Sequence, residues 1–175
     1  MVVIRIIKGN ISKYAYATLT VNSTAIATNA FLDKIETKKI RVGDIDIAYM
    51  IFGEGKPLLL LPGFSMTMNM WDPNMLRNLS FNHTVIVFDN RGIGQTTAGN
   101  NTQKFSISQF ANDTAGFLTA LSLDNNNSSN SQPIDILGLS LGGFIAQEFA
   151  LTYPDKVDRL ILVVSGCGGN ERIIF

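Results

Sequence analysis

The sequence predicts an α/β fold: a three-layer sandwich with a mostly parallel central sheet and an antiparallel hairpin at its N-terminal end. Three observations predict it. Four short apolar runs show no alternation, as strands buried on both faces should. Segments with helical periodicity separate most of these runs. An earlier stretch, residues 38–52, alternates apolar and polar side chains with period two, the mark of a half-exposed antiparallel pair.

In chain order, residues 1–36 read as a leader or disordered segment. Arg5 and Lys8 precede an interrupted apolar stretch and a small-residue stretch ending Ala27-Thr28-Asn29-Ala30, the order of a degenerate export signal. Residues 37–175 form the domain. In the hairpin, Ile40 and Val42 alternate with Arg41, Gly43-Asp44 turns, and Ile45, Ile47, Tyr49 and Ile51 alternate again. Leu58–Leu61, Val85–Phe88, Ile134–Leu137 and Leu160–Val164 are the buried strands. The clearest helix spans 107–121, with Ile107, Phe110, Ala111, Thr114, Phe117, Leu118 and Leu121 on one face. Ser106 with Gln109 reads as a capping box and Phe105 with Phe110 as a hydrophobic staple. A second helix over 141–153 ends before Pro154. The polar run 125–132 between helix and strand reads as a surface loop.

The chain has 175 residues, 46% hydrophobic and 16% charged, which suits one globular domain. Lys plus Arg equals Asp plus Glu at 14 each, so electrostatics gives no reason to expect nucleic acid as a partner. No apolar run is long enough for a membrane span. Cys167 is the only cysteine, so no disulfide forms within the chain, and the redox compartment stays open. The reading is cytoplasmic, with export if the first 30 residues act as a signal.

Three loops follow buried strands and carry chemistry. The first, Gly138-Leu139-Ser140-Leu141-Gly142, links a strand to a helix, the context a nucleophile elbow requires. So tight a turn strains the serine backbone and needs small residues two before and two after it. The helix opening at Leu141 aims its positive dipole end at the serine. In the second, Leu61-Pro62-Gly63-Phe64-Ser65, the Phe64 N–H is the candidate partner of the Leu141 N–H in an oxyanion hole. The third, Asp89-Asn90-Arg91-Gly92-Ile93-Gly94-Gln95-Thr96, lacks the Lys-Ser/Thr of a phosphate loop and the GxGxxG spacing. Asp89 and Arg91 are better read as bracing loops around the site, and neither cofactor nor metal is expected.

On these motifs, with Tyr153-Pro154-Asp155-Lys156-Val157 leading into the last strand, residues 38–170 resemble the α/β-hydrolase superfamily. The resemblance is strongest to its esterase, lactonase and haloperoxidase-like branch. It implies a partial α/β-hydrolase fold, Ser140 as nucleophile, and Phe64 and Leu141 as oxyanion-hole donors. It also implies a small-molecule ester or lactone-like substrate. Members usually carry His-Gly where this chain has Pro62-Gly63, which keeps the backbone donor but loses a side chain that often orders the loop.

A serine nucleophile needs a base, and in this family an acid and then a histidine follow it. No histidine follows Ser140. Of the acids after it, Glu148, Asp155 and Asp158 precede the last strand, and only Glu171 falls beyond it. His83, the only histidine, precedes a strand whose far end faces the serine; five residues at about 3.3 Å each put the two ends roughly 17 Å apart. The expectation is therefore a serine hydrolase truncated before its acid and base, its activity in doubt. The alternative is a catalytically inactive fragment or interaction protein that completes its sheet with a partner. Cofactor-free perhydrolase chemistry needs the same missing triad. The last strand, 160–164, is expected to leave a bare apolar edge open to self-association.

Overall fold

Leu58, Leu59, Leu60 and Leu61 are each at most 3% exposed, and they divide between two cores. Leu58 and Leu60 pack with Met50, Trp71, Leu76 and Val87. Leu59 and Leu61 pack with Phe88, Phe117, Ile145 and Phe149. A strand with a core on each face has no use for polar alternation, which is why this run has none.

In this computed structural model the described residues are 2–8, 11–17, 29–100, 105–124 and 133–166. Strands β1 (Val2–Lys8) and β2 (Ile11–Ala17) are followed by a short helix α1 (Asn29–Leu32). Then come β3 (Lys38–Val42), β4 (Ile45–Phe52) and β5 (Lys56–Leu61). A 3₁₀ turn at Met68–Met70 leads to α2 (Pro73–Ser80), β6 (His83–Phe88) and α3 (Ile107–Asp124). The chain continues through β7 (Ile134–Leu139), α4 (Leu141–Thr152), a 3₁₀ turn at Pro154–Lys156 and β8 (Val157–Val163).

The strands form one sheet in the order β2-β1-β8-β7-β5-β6-β4-β3. Its four middle strands, β8, β7, β5 and β6, run parallel. The β3–β4 hairpin adds antiparallel to β6 in the register Tyr49 to Phe88. Helices α1 and α2 lie over one face and α3 and α4 over the other, which gives the three layers. Helix α2 was not anticipated, although its start was written in the sequence. Asp72 caps it by accepting from the Met75 N–H at 2.7 Å, and Pro73 follows at the first helical position.

Two expectations meet a different arrangement. The edge of β8 is not bare among the described residues. Strand β1 pairs antiparallel with it, Ile4 opposite Val163 and Ile7 opposite Leu160, and β2 forms the outer edge. A stretch read as leader thus supplies two strands; the signal was the apolar run Val2-Val3-Ile4 and Ile6-Ile7, interrupted only by Arg5. Strand β8 also stops one residue early, because Val164 takes φ 51°, a conformation a β-branched side chain rarely adopts. The polar run 125–132, Cys167 and Glu171, with residues 18–28 of the N-terminal stretch, lie outside the described residues. No helix among the described residues is long and apolar enough to cross a membrane.

Candidate active site

The elbow lies between β7 and α4. Ser140 has φ 52° and ψ −113°, far from any relaxed conformation of a residue with a side chain. Its N–H donates to the Val163 carbonyl at 2.9 Å, which ties the turn to the end of β8. The flanking glycines are required by contact. A Cβ on Gly142 would sit 2.1 Å from the Leu61 carbonyl oxygen, and one on Gly138 would sit 2.4 Å from the Gly142 carbonyl oxygen. Helix α4 can therefore start hard against the end of β5 only without side chains at these two positions.

The loop after β5 meets the serine directly. A Cβ on Gly63 would lie 3.7 Å from Ser140 Cβ, so the Pro62-Gly63-Phe64 backbone borders the serine. The Phe64 ring is 82% exposed, and its N–H donates to no backbone carbonyl among the described residues. The Leu141 N–H opens α4 and has no acceptor within the helix. The structure thus brings the three predicted site residues, Phe64, Ser140 and Leu141, to one place at the carboxyl end of the sheet.

Asp89 orders this loop where a side chain within it does not. One carboxylate oxygen accepts from the Met68 N–H at 2.7 Å and the other from the Gln95 N–H at 2.8 Å. Thr96 Oγ1 donates to the Asp89 carbonyl and accepts from the Ala48 N–H, pinning the loop to β4. Asp89 is 1% exposed with both oxygens engaged, so it is a brace. Arg91, 6% exposed, is a second brace. Its guanidinium makes a two-pronged bond to Asp113 on α3 at 2.7 and 2.8 Å and a single bond to Asp44 at 2.8 Å. The bonds to Asp113, opposed by burial and helped by Asp44, hold Arg91 above the ordinary range of a guanidinium. For Asp44, the Asn100 N–H and then Arg91 hold the carboxyl below its usual 3.8.

No described acid or histidine stands near Ser140. Lys56 pairs with His83 and Leu58 with Asp135, so His83 is level with Pro133. Ser140 lies seven residues farther along, roughly 23 Å at 3.3 Å per residue. The His83 ring instead lies 3.2 Å from the Leu79 carbonyl. Glu148 accepts from Ser108 between α3 and α4, and Asp158 pairs with Lys56 at the amino end of the sheet. Among the described residues no cluster of three or more His, Cys, Asp or Glu could hold a metal.

Beside the elbow is a cavity of about 490 Å³. Its apolar wall is Phe64, Ile93, Phe105, Ile107, Phe110 and Leu141, and Asn90 and Arg91 also border it. In sequence Ile93 is a loop residue and Phe105, Ile107 and Phe110 belong to a helix and its start; the fold makes them one wall. Phe105 and Phe110 do form the expected staple, with ring centroids 5.9 Å apart, and Ser106 Oγ caps the Gln109 N–H at 3.1 Å. The Gln109 side chain bonds Asp113 instead of closing the capping box.

Comparison with known proteins adds a family. A family model described as alpha/beta hydrolase fold matches residues 56–171. A protein of Azorhizobium caulinodans, named provisionally as the carbamate hydrolase RutD, is 32% identical over 121 residues, 69% of this chain and 42% of its own. One from Mycobacterium tuberculosis, named provisionally as the non-heme bromoperoxidase BpoC, is 30% identical over 122 residues with the same coverage of 69% and 42%. A crystal structure from Acinetobacter baumannii, described provisionally as a lipase, superposes with a TM-score of 0.70 at 28% identity, covering 90% of this chain and 50% of that one. The chain spans about two fifths of the length of these curated relatives.

Proposed function

The chain belongs to the alpha/beta-hydrolase fold family, and from that premise we propose that it binds carboxylic ester or lactone-type substrates and forms an acyl-enzyme through Ser140. The observation that carries this reading is the Ser140 backbone at φ 52° and ψ −113° on a strand-to-helix turn. Such strain persists only where the surrounding structure enforces it, and it concentrates at functional sites. On this reading the exposed Ser140 presents its hydroxyl at the carboxyl end of the sheet, where the Leu141 and Phe64 N–H groups would face the substrate carbonyl.

In the proposed reaction, Ser140 Oγ adds to the substrate carbonyl carbon. The carbonyl π electrons move to oxygen, and the resulting oxyanion is held by the Leu141 and Phe64 N–H groups with the positive end of α4 behind them. Collapse expels the alcohol and leaves the acyl group on Ser140; water then releases the acid. The serine proton passes to solvent water or to an added base and returns to the leaving oxygen; fast transfer needs an acceptor within about 3 Å of Oγ. His83 is too far, and Asp89 is fully engaged. Among the described residues no side chain is placed to take that proton, so the proposed acylation is slow unless a base is supplied.

The position of His83 favours a second reading, a catalytically inactive member of the family. One experiment separates the two. The chain and its Ser140→Ala variant are incubated with a fluorophosphonate and with p-nitrophenyl acetate, with and without added imidazole as external base, and adducts are located by peptide mass spectrometry. Modification of Ser140 that imidazole accelerates, absent from Ser140→Ala, is expected. Equal modification of both proteins, or none even with imidazole, overturns the proposal in favour of the inactive reading.

A further inference from the structure

We infer that Gln147 is a positioning residue for the elbow: its side-chain amide ties the first turn of α4 to the end of β8 and so fixes the direction in which the Ser140 turn and the Leu141 N–H face. The inference rests on the Ser140 reading for its effect on acylation and on the hydrogen bonds alone for its effect on the turn. Gln147 Nε2 donates to the Gly143 carbonyl and to the Gly166 carbonyl, each at 3.0 Å. A carboxamide carries two N–H bonds, so both donations are made at once. Gly143 lies in the first turn of α4, and its carbonyl, with two lone pairs, takes this bond beside the helix's own. Gly166 follows closely on Val163, the last residue of β8. Val163 is itself the acceptor of the Ser140 N–H at 2.9 Å. The elbow is thus held to one short segment at two points, once before the helix starts and once after its first turn.

The segment that receives these bonds bears costs of its own. Val164 takes φ 51°, a conformation disfavoured for a β-branched side chain. Ser165 Oγ is buried with no hydrogen-bond partner among the described residues, a costly state for a hydroxyl. Ser165 packs against Gly143 so closely that a Cβ on the glycine would collide with it. Strain and an unpaired hydroxyl in neighbouring residues persist only where the surrounding structure over-determines them. Here the contacts that do so come from the elbow and α4: the Ser140 N–H on Val163, the face of Gly143 on Ser165, and the Gln147 amide on Gly166. Of the three, only the last is made by side-chain donors that can be removed with little change in volume. A shift of the first turn would swing the Leu141 N–H away from an oxyanion formed at Ser140, and a hydrogen bond weakens steeply with misalignment.

The test uses the full chain. Wild type, Gln147→Met and Gln147→Glu are treated with a fluorophosphonate in the presence of imidazole, and the saturating rate and half-saturating concentration of Ser140 labelling are read at a series of pH values. Gln147→Met fills the same space without the donors. It should lower the saturating rate about three- to tenfold, the factor that one neutral hydrogen bond corresponds to, with the half-saturating concentration unchanged. In Gln147→Glu the carboxylate has no proton to donate, whereas its protonated form donates one. Its rate relative to wild type at the same pH should therefore climb as acid is added, which reads the donor within a single folded protein. Amide hydrogen exchange followed by NMR reads the turn directly. The Ser140 N–H should exchange faster in Gln147→Met, while the Phe149 N–H, deeper in α4, keeps its protection. A Gln147→Met protein with the wild-type saturating rate and Ser140 exchange, or a Gln147→Glu ratio that is flat with pH, overturns the inference. Equal loss of protection at Ser140 and Phe149 also overturns it, because that marks a general loosening of the helix. Absence of labelling in the wild type removes the Ser140 chemistry alone, and the exchange at Ser140 and Phe149 then decides for or against Gln147.

Discussion

Replacing Arg91 with methionine tests whether a buried ion pair fixes the site. The guanidinium makes four bonds: two to Asp113, one to Asp44 and one to the Ala98 carbonyl at 3.2 Å. The Arg91 and Asp113 side chains are 6% and 8% exposed, while Asp44 is 33% exposed and dissipates its charge into solvent. The cost therefore falls on Asp113, left as an uncompensated buried carboxylate with only the Gln109 amide. Breaking a pair of this kind costs about 3–5 kcal/mol, against little for a surface pair. For a chain of this size that is a melting-temperature loss of about 6–20 °C. Arg91→Met/Asp113→Leu removes both charges and should recover most of the loss, because a well-packed apolar pair often replaces a buried ion pair at no cost. Calorimetry and urea unfolding of the wild type, both single variants and the double variant complete the cycle. An Arg91→Met protein within about 1 kcal/mol of wild type, or single losses that simply add, refutes the argument.

Four further outcomes follow from the same geometry. Ser140→Gly should raise stability by about 1 kcal/mol, since relief of a strain of about 1–3 kcal/mol exceeds the entropy of a glycine, whereas Ser140→Ala keeps a Cβ and should not; thermal melts compare them. Gly142→Ala, with its Cβ 2.1 Å from the Leu61 oxygen, should lose more than about 2 kcal/mol by urea midpoint and disturb the elbow. Deleting residues 1–17 bares the β8 edge, and sedimentation velocity should then show more concentration-dependent association than the whole chain gives. Asp44 has a folded pKa held below 3.8, so its contribution is present above that pH and fades as acid is added below it; Asp44→Asn should flatten the acid limb of a stability–pH curve.

The site's backbone was legible because the elbow is a local device. Gly138 and Gly142 are demanded by contacts within one turn and the adjoining strand end, so five consecutive residues report the geometry. The buried strands were equally plain, since Leu58–Leu61 face two cores at once. The cavity was not legible. Ile93 and Phe105 become neighbours only because Arg91 clamps the loop to α3 and Asp89 turns it back on itself, and no spacing in the sequence encodes that closure. The pairing of β1 with β8 escaped for a related reason. It joins residues more than 150 positions apart, and its strands are separated from the domain by a stretch with neither turn signals nor helical period.

The two ends of the parallel strands carry opposite chemistry, and that contrast explains what the site can do. At the amino end, Lys56 and Arg159 converge on Asp135, which is 3% exposed in its side chain, and both also approach Asp158. Each of these four charges has a partner within the group, which makes a closed structural cluster. At the carboxyl end the charges of Arg91 and Asp89 are likewise spent, but on the loops that shape the cavity. The N–H groups of Leu141 and Phe64, by contrast, donate to no backbone carbonyl among the described residues. On the proposed reading these neutral donors would hold a developing oxyanion, yet neither can take the proton of Ser140. In enzymes whose triad has been removed, donors and binding alone still leave about 10³–10⁴-fold acceleration over water. If Ser140 is acylated as proposed, the rate without imidazole measures what the backbone donors contribute, and the increment with imidazole measures what an external base adds.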